Sequence, residues 1–294
     1  MKNLNLFLSA ALGLLAIGCS SNEGKTKIAH ELDFDVDITA DINRAQQVFY
    51  ALPSPVETAY LIQNSGVSYN MDLSNPTANV DNYSTTMQKA LNFGVYGADL
   101  SYASLFNQTQ TTIQYMATEK KLAEELGIFD FVQTDVVDRI EGNINDRDSV
   151  MEILADGFNN ASDYLKDAGR AEVAALIVAG GWIEGLYLAT QLAGLSANNS
   201  RLIDLVIDQR LSLTILIKLL NNYKSLPNVS TVYGWLGDLQ ATYDNVQIET
   251  SETKVETGTN GKTTLAADTK VEVNDMIFKA ICQKADSIRS LIVK

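Results

Sequence analysis

Residues 170–194, RAEVAALIVAGGWIEGLYLATQLAG, carry the reading of the whole chain. Gly181, Gly185, Ala189 and Ala193 fall four apart, and so do Ala171, Ala175 and Ala179, which lays two rows of small side chains along one helix. Rows of that kind let a neighbouring backbone approach closely. A helix that is apolar nearly all round belongs inside a bundle or in a membrane. Glu184 at its middle favours the bundle, because an unpaired carboxylate in lipid is costly. The stretch predicts the central helix of an all-α domain.

The helical period continues on either side. Upstream, a helix through Ile42 to Leu52 stops at Pro53. The next has Ser54 as N-cap, Pro55 in its first turn, Glu57 closing a capping box and Gly66 just past its end. After the loop 68–80, a long helix over about 83–107 carries a further small row at Ala90, Gly94 and Ala98, so the two glycine-bearing helices are expected to pack together. Residues 109–126 read as amphipathic. Ile113, Met116, Ala117, Ala123 and Leu126 are expected inside, Glu119, Lys120, Lys121, Glu124 and Glu125 outside, with Gly127 as terminator. A short helix over 135–141 and one over 147–168, N-capped by Asp146 and stopped by Gly169, lead into the central helix.

Beyond it, 199–224, 230–244 and 275–292 are helical, the last with Ile277, Ala280, Ile281, Ile288, Leu291 and Ile292 facing inward. The threonine-rich stretch 246–273 differs. Asn260-Gly261 is a hairpin-turn signal, and Val246/Ile248 and Val271/Val273 alternate at its ends, which predicts either a two-stranded β-ribbon or a flexible insertion. The fold class expected is therefore all-α: a multi-helix bundle of about nine helices around a glycine/alanine-rich helix, with one small β-ribbon insertion near the C-terminus.

The N-terminus gives an address. MKNLNLFLSAALGLLAIG, residues 1–18, has one positive charge and then an apolar run of signal-peptide length, followed at once by Cys19 and the hydrophilic SSNEGKTK. Leu15-Ala16-Ile17-Gly18-Cys19 resembles the lipobox of bacterial lipoproteins, with Ala16 where leucine is commonest. That resemblance implies a signal peptide over 1–18, a lipid on Cys19, a tether with a short extended segment over 19–38 and a single helical domain over 39–294. It also implies an outer-membrane lipoprotein of the cell envelope, on the periplasmic or the surface face, held to the membrane through its anchor. LPSPVETAYLIQNSG (52–66), LNFGVYGADLSYASLFNQTQ (91–110) and AALIVAGGWIEGLYLATQL (174–192) resemble segments of the all-helical lipoproteins of Bacteroidota. The resemblance covers most of the mature chain and implies no activity.

Composition narrows the chemistry. The chain has 22 Lys and Arg against 36 Asp and Glu. Loss of the leader removes Lys2 alone, leaving 21 against 36, a charge of −15 that disfavours nucleic acid and anionic head groups as partners. With Cys19 lipidated, Cys282 is the sole remaining cysteine, so neither a disulfide nor a cysteine metal cluster is expected. The single histidine, His30, lies in the tether, which excludes a histidine-activated nucleophile and a histidine zinc site from the domain. Asp33, Asp35 and Asp37 fail as a calcium loop, because Ile38 and Arg44 stand where glycine and a bidentate glutamate are needed. No metal and no cofactor are expected.

One constellation rises above this background. Tyr96, Asp99 and Tyr102 on one glycine-bearing helix are matched by Trp182, Glu184 and Tyr187 on the other, and in each an acid precedes a tyrosine by three. Either each acid is neutralised in a core network, or the six residues form a ligand-binding pocket of carboxylates and aromatic walls. The function expected is a non-enzymatic, lipid-anchored module that binds a protein partner or small ligand. The alternative is a carboxylate-based hydrolase or lyase acting on envelope or imported glycans.

Overall fold

The computed structural model describes Leu52 and residues 54–129, 134–195, 199–250, 254–257, 263–266, 269–272 and 274–294, with backbone alone over the strands past 247. The leader, Cys19, His30, the helix expected from Ile42 and the Asn260-Gly261 turn lie outside the described residues. Among the described residues the protein is mostly helical, with nine α-helices: α1 (Pro55–Asn64), α2 (Thr86–Leu105), α3 (Thr109–Leu126), α4 (Thr134–Gly142), α5 (Arg147–Asp167), α6 (Ala171–Leu195), α7 (Ser200–Asn221), α8 (Pro227–Tyr243) and α9 (Asp275–Ile292). Four short strands, β1 (Gln247–Thr250), β2 (Lys254–Thr257), β3 (Thr263–Ala266) and β4 (Thr269–Glu272), precede α9. They pair antiparallel, β1 with β4 and β2 with β3.

Local chemistry sets the helix ends. Ser54 and Glu57 complete a reciprocal capping box at α1, and Asp146 caps α5 through Ser149 N–H. Gly66, Gly127 and Gly169 stand at φ +80°, +68° and +70°, the left-handed conformation that terminates α1, α3 and α5 at little steric cost.

The two glycine-bearing helices meet through bare backbone. A Cβ on Gly94 of α2 would lie 2.0 Å from the Ile177 carbonyl oxygen of α6, and one on Gly180 would lie 1.9 Å from the Leu91 carbonyl oxygen. Gly185 meets a different neighbour, Thr58 of α1, whose Cγ2 would be 2.7 Å from an added Cβ. Helix α6 also touches α5, α7, α8 and α9, so its apolar circumference is covered by protein. It is long and apolar enough to cross a membrane, yet 94% of its most apolar window is buried among its neighbours. Its Trp182 donates from Nε1 to Ser212 Oγ of α7 at 2.8 Å, which satisfies the indole where it is buried.

Two expected faces need correction. On α3, Ile113 and Ala117 are exposed, while Glu119, expected outside, turns its Oε1 into the protein beside Gly97. The absence of a side chain at Gly97 leaves room for that carboxyl. On α9 the buried stripe is Ile281, Ala285, Ile288 and Ile292, and Leu291 is exposed.

Glu119 yields a test. The residue is partly covered, but its Oε1 is buried without a partner, and burial pushes its carboxyl up from 4.5 to about 8. An acid raised on folding contributes stability that is complete below its unfolded pKa and lost as pH rises through the folded one, here between 4.5 and about 8. Glu119→Gln is expected to flatten part of that loss and to raise stability at pH 9 by roughly 2 kcal/mol, discounted because the side chain is partly wet. Urea midpoints at pH 5 and pH 9 check it. Parallel pH dependence in the two proteins would contradict the burial of that carboxyl.

Candidate functional site

Residues 67–83 cross from α1 towards α2 as a strap holding two short 3-10 turns, Met71–Leu73 and Thr77–Asn82. A strap with few backbone partners of its own must satisfy its buried N–H and C=O groups with side chains. The first acid–tyrosine motif, on α2, supplies three of them. Tyr102 OH accepts from Asn70 N–H at 2.9 Å, Asp99 Oδ2 accepts from Asn75 N–H at 2.9 Å, and Tyr96 OH donates to the Pro76 carbonyl at 3.0 Å. Tyr115 of α3 adds a fourth, to the Asn75 carbonyl at 3.0 Å.

The second motif, on α6, holds α9. Glu184 takes both oxygens into a bidentate pair with Arg289, Nε to Oε2 at 3.0 Å and Nη2 to Oε1 at 3.1 Å. Tyr187 stacks beneath the guanidinium, 4.6 Å from ring centroid to Cζ. The same Nη2 reaches the Leu73 carbonyl at 3.2 Å, so Arg289 joins α6, α9 and the strap. Asn92 of α2 then donates to the Ile292 carbonyl at 2.9 Å, capping the end of α9.

Five of the six residues singled out in the sequence, Tyr96, Asp99, Tyr102, Glu184 and Tyr187, are thus brought into one network, and Trp182 faces α7 instead. None of the six is more than 9% exposed. Sequence reasoning missed Arg289, Asn75, Asn92 and Tyr115. Arg289 carried a signal, since it follows Ile288 on the inner stripe of α9 where a cation needs a buried partner.

Electrostatics follow from burial. Asp99 is pushed well above the usual carboxylate range, first by desolvation and then by the neighbouring Glu184 charge. Burial raises Glu184 too, and Arg289 opposes it. For Arg289 burial acts downward, but the Glu184 carboxylate outweighs it and fixes the guanidinium as a cation. Burial raises Tyr69 to about 12 and pushes Tyr96 and Tyr115 higher still, so all three phenols stay neutral, and the last two serve as hydrogen-bond donors. Burial also raises Cys282 to about 11, which disfavours the reactive thiolate.

Described residues line at least two clefts. One, of about 630 Å³, lies among Pro55, Phe158, Lys166 and Ile177; the other, of about 450 Å³, lies where the α2–α3 turn meets the start of α5, at Asn107, Gln108 and Arg147. Neither is lined by any of the six candidate residues. Among the described residues no group of three or more His, Cys, Asp or Glu side chains is placed to hold a metal ion. Comparison with protein-family models, with curated proteins and with solved structures finds no match to this chain.

Proposed function

We propose that this chain is a lipid-anchored helical protein of the bacterial cell envelope, an outer-membrane lipoprotein that acts as a non-enzymatic binding or interaction module. The observation that carries the reading is the leader ending in Leu15-Ala16-Ile17-Gly18-Cys19, next to a domain whose most distinctive acids are engaged in internal bonds. Within this reading α6 is the glycine/alanine-rich hub of the bundle, and 246–273 is a small β-ribbon insertion. The resemblance to helical Bacteroidota lipoproteins supports the same address.

A carboxylate hydrolase or lyase acting on glycans is the second reading. In its favour, Asp99 lies within hydrogen-bonding reach of Glu184. Against it, both carboxyls are fully buried, and Glu184 is committed to Arg289. Such a pair leaves a sugar no approach in this conformation.

Cys19→Ser tests the address. A mature chain of charge −15 has little affinity of its own for anionic membranes, so the variant is expected to leave the membrane fraction or to persist with its leader uncleaved. Membrane fractionation with an immunoblot reads both outcomes. Unchanged membrane association with normal processing would overturn the lipoprotein assignment.

A further inference from the structure

Between α2, α6, α9 and the strap, the protein holds two fully buried carboxyl groups and a single, largely covered guanidinium. Arg289 spends Nε and one face of its fork on Glu184, and Asp99 feels that charge without an ion pair of its own. Asp99 Oδ2 accepts from Asn75 N–H, its Oδ1 has no partner, and the side chain lies within hydrogen-bonding reach of Glu184. Two ionised carboxylates cannot hydrogen-bond to one another. With both charged, the cluster would carry a net negative charge out of water, an arrangement costing several kcal/mol.

The surroundings relieve that charge only in part: Asn75 N–H, the Arg289 charge and Ser74 favour the ionised Asp99, but burial and the Glu184 charge outweigh them. The titratable groups facing Asp99 are Tyr69 from the strap, Tyr96 and Tyr102 from α2, Tyr115 from α3, Glu184 and Tyr187 from α6 and Arg289 from α9, with Tyr83 and Asp286 further out against Glu184 and Tyr187. Arg289 is the one cation in that set, and it is already shared. We infer that Asp99 carries a proton and donates it to Glu184, making Asp99, Glu184 and Arg289 a proton-controlled latch on the strap 67–83.

The proton sits on Asp99 because Glu184 has the bidentate guanidinium and Asp99 has none. When it leaves to solvent base, two negative charges face one cation, and the nearest relief is for Asp99 to reach water. That breaks the bond to Asn75 N–H and lifts the strap at 74–76. Ser74 Oγ and Tyr69 OH, buried there without partners at hydrogen-bond geometry, mark where water would enter. Asp99 is raised on folding, so the latch contribution is complete below about pH 4 and is lost as pH rises through the raised value.

The test uses the full mature chain carrying Glu119→Gln, which removes a raised acid outside the cluster. Carboxyl-carbon NMR follows Asp99, and hydrogen exchange, corrected for its intrinsic pH dependence, follows the Asn75 amide from about pH 5 to about pH 10. The Asp99 carbon is expected to titrate well above the ordinary aspartate range, with Asn75 protection falling about tenfold or more through the same pH interval. Asp99→Asn keeps the acceptor for Asn75 N–H, offers Glu184 an N–H donor and cannot titrate, so its Asn75 protection is expected to stay flat. An Asp99 carboxyl titrating near pH 4, or the same loss of protection in Asp99→Asn, would overturn the latch. The carbon titration needs no change at position 99, so poor folding of that variant would not shelter the proposal.

Discussion

Gly180→Ala is expected to destabilise the protein by roughly 3 kcal/mol, and Gly180→Val to leave little folded population at room temperature. The added Cβ would stand 1.9 Å from the Leu91 carbonyl oxygen, 2.7 Å from its carbonyl carbon and 2.9 Å from its Cα. All three are backbone atoms, so no rotamer change clears them. The helix-propensity gain from Gly to Ala, about 1 kcal/mol, has the opposite sign and is the smaller effect. Gly194, on the same helix, is exposed with nothing within 4 Å of an added Cβ, so Gly194→Ala is expected to stabilise by up to about 1 kcal/mol. Thermal unfolding followed by circular dichroism compares them: a loss near 3 kcal/mol lowers the midpoint by roughly 6–12 °C in a protein of this size. Equal midpoints for the two variants would show that α2 and α6 do not touch backbone to backbone.

Arg289→Met carries the second large effect, a loss of roughly 3–5 kcal/mol. The substitution leaves Glu184 fully buried with no cation, and removes the donor to Leu73 O and the partner of Tyr187. Arg289→Lys is expected to recover only part of it, because an ammonium cannot reproduce the bidentate fork that grips both Glu184 oxygens. Urea unfolding of the three proteins reads the order directly. A Lys variant as stable as the parent would reduce the interaction to a point charge.

What was legible in the sequence was what chemistry writes locally. Ser54 with Glu57, Asp146, Gly127 and Gly169 act within a turn of themselves, and the helix ends they specify are those observed. The small residues of the two glycine-bearing helices pointed to close packing, since little but a neighbouring backbone fits over Gly94 and Gly180. Helix α6 is apolar on every side, so periodicity could not say which face meets which neighbour, and Gly185 proved to face Thr58 of α1. Glu119 reads as a surface charge in its own helix. Only Gly97 of a different helix makes the space its carboxyl enters.

The candidate residues were legible as a group and their purpose was not. An acid three before a tyrosine is a pattern on one helix face, but the partners that give it meaning are distant: Asp99 serves the strap backbone at Asn75, and Glu184 is paired 105 residues away. The strap itself has no period to read. Its order comes from side chains of α2, α3 and α9 that reach its backbone, and such pairings leave no regular trace in the sequence.

The second acid–tyrosine motif holds α9 and the strap in place through Glu184 and Arg289. A double-mutant cycle tests it most directly, with urea unfolding of Glu184→Met, Arg289→Met and the double variant at neutral pH. Each single change leaves one buried partner uncompensated, whereas the double change puts two apolar side chains of similar length face to face. The expected result is a double variant more stable than the sum of the single losses predicts, by roughly 2–3 kcal/mol. Additivity within about 0.5 kcal/mol would mean that the two residues do not depend on each other and that this pair does not hold α9 to the strap.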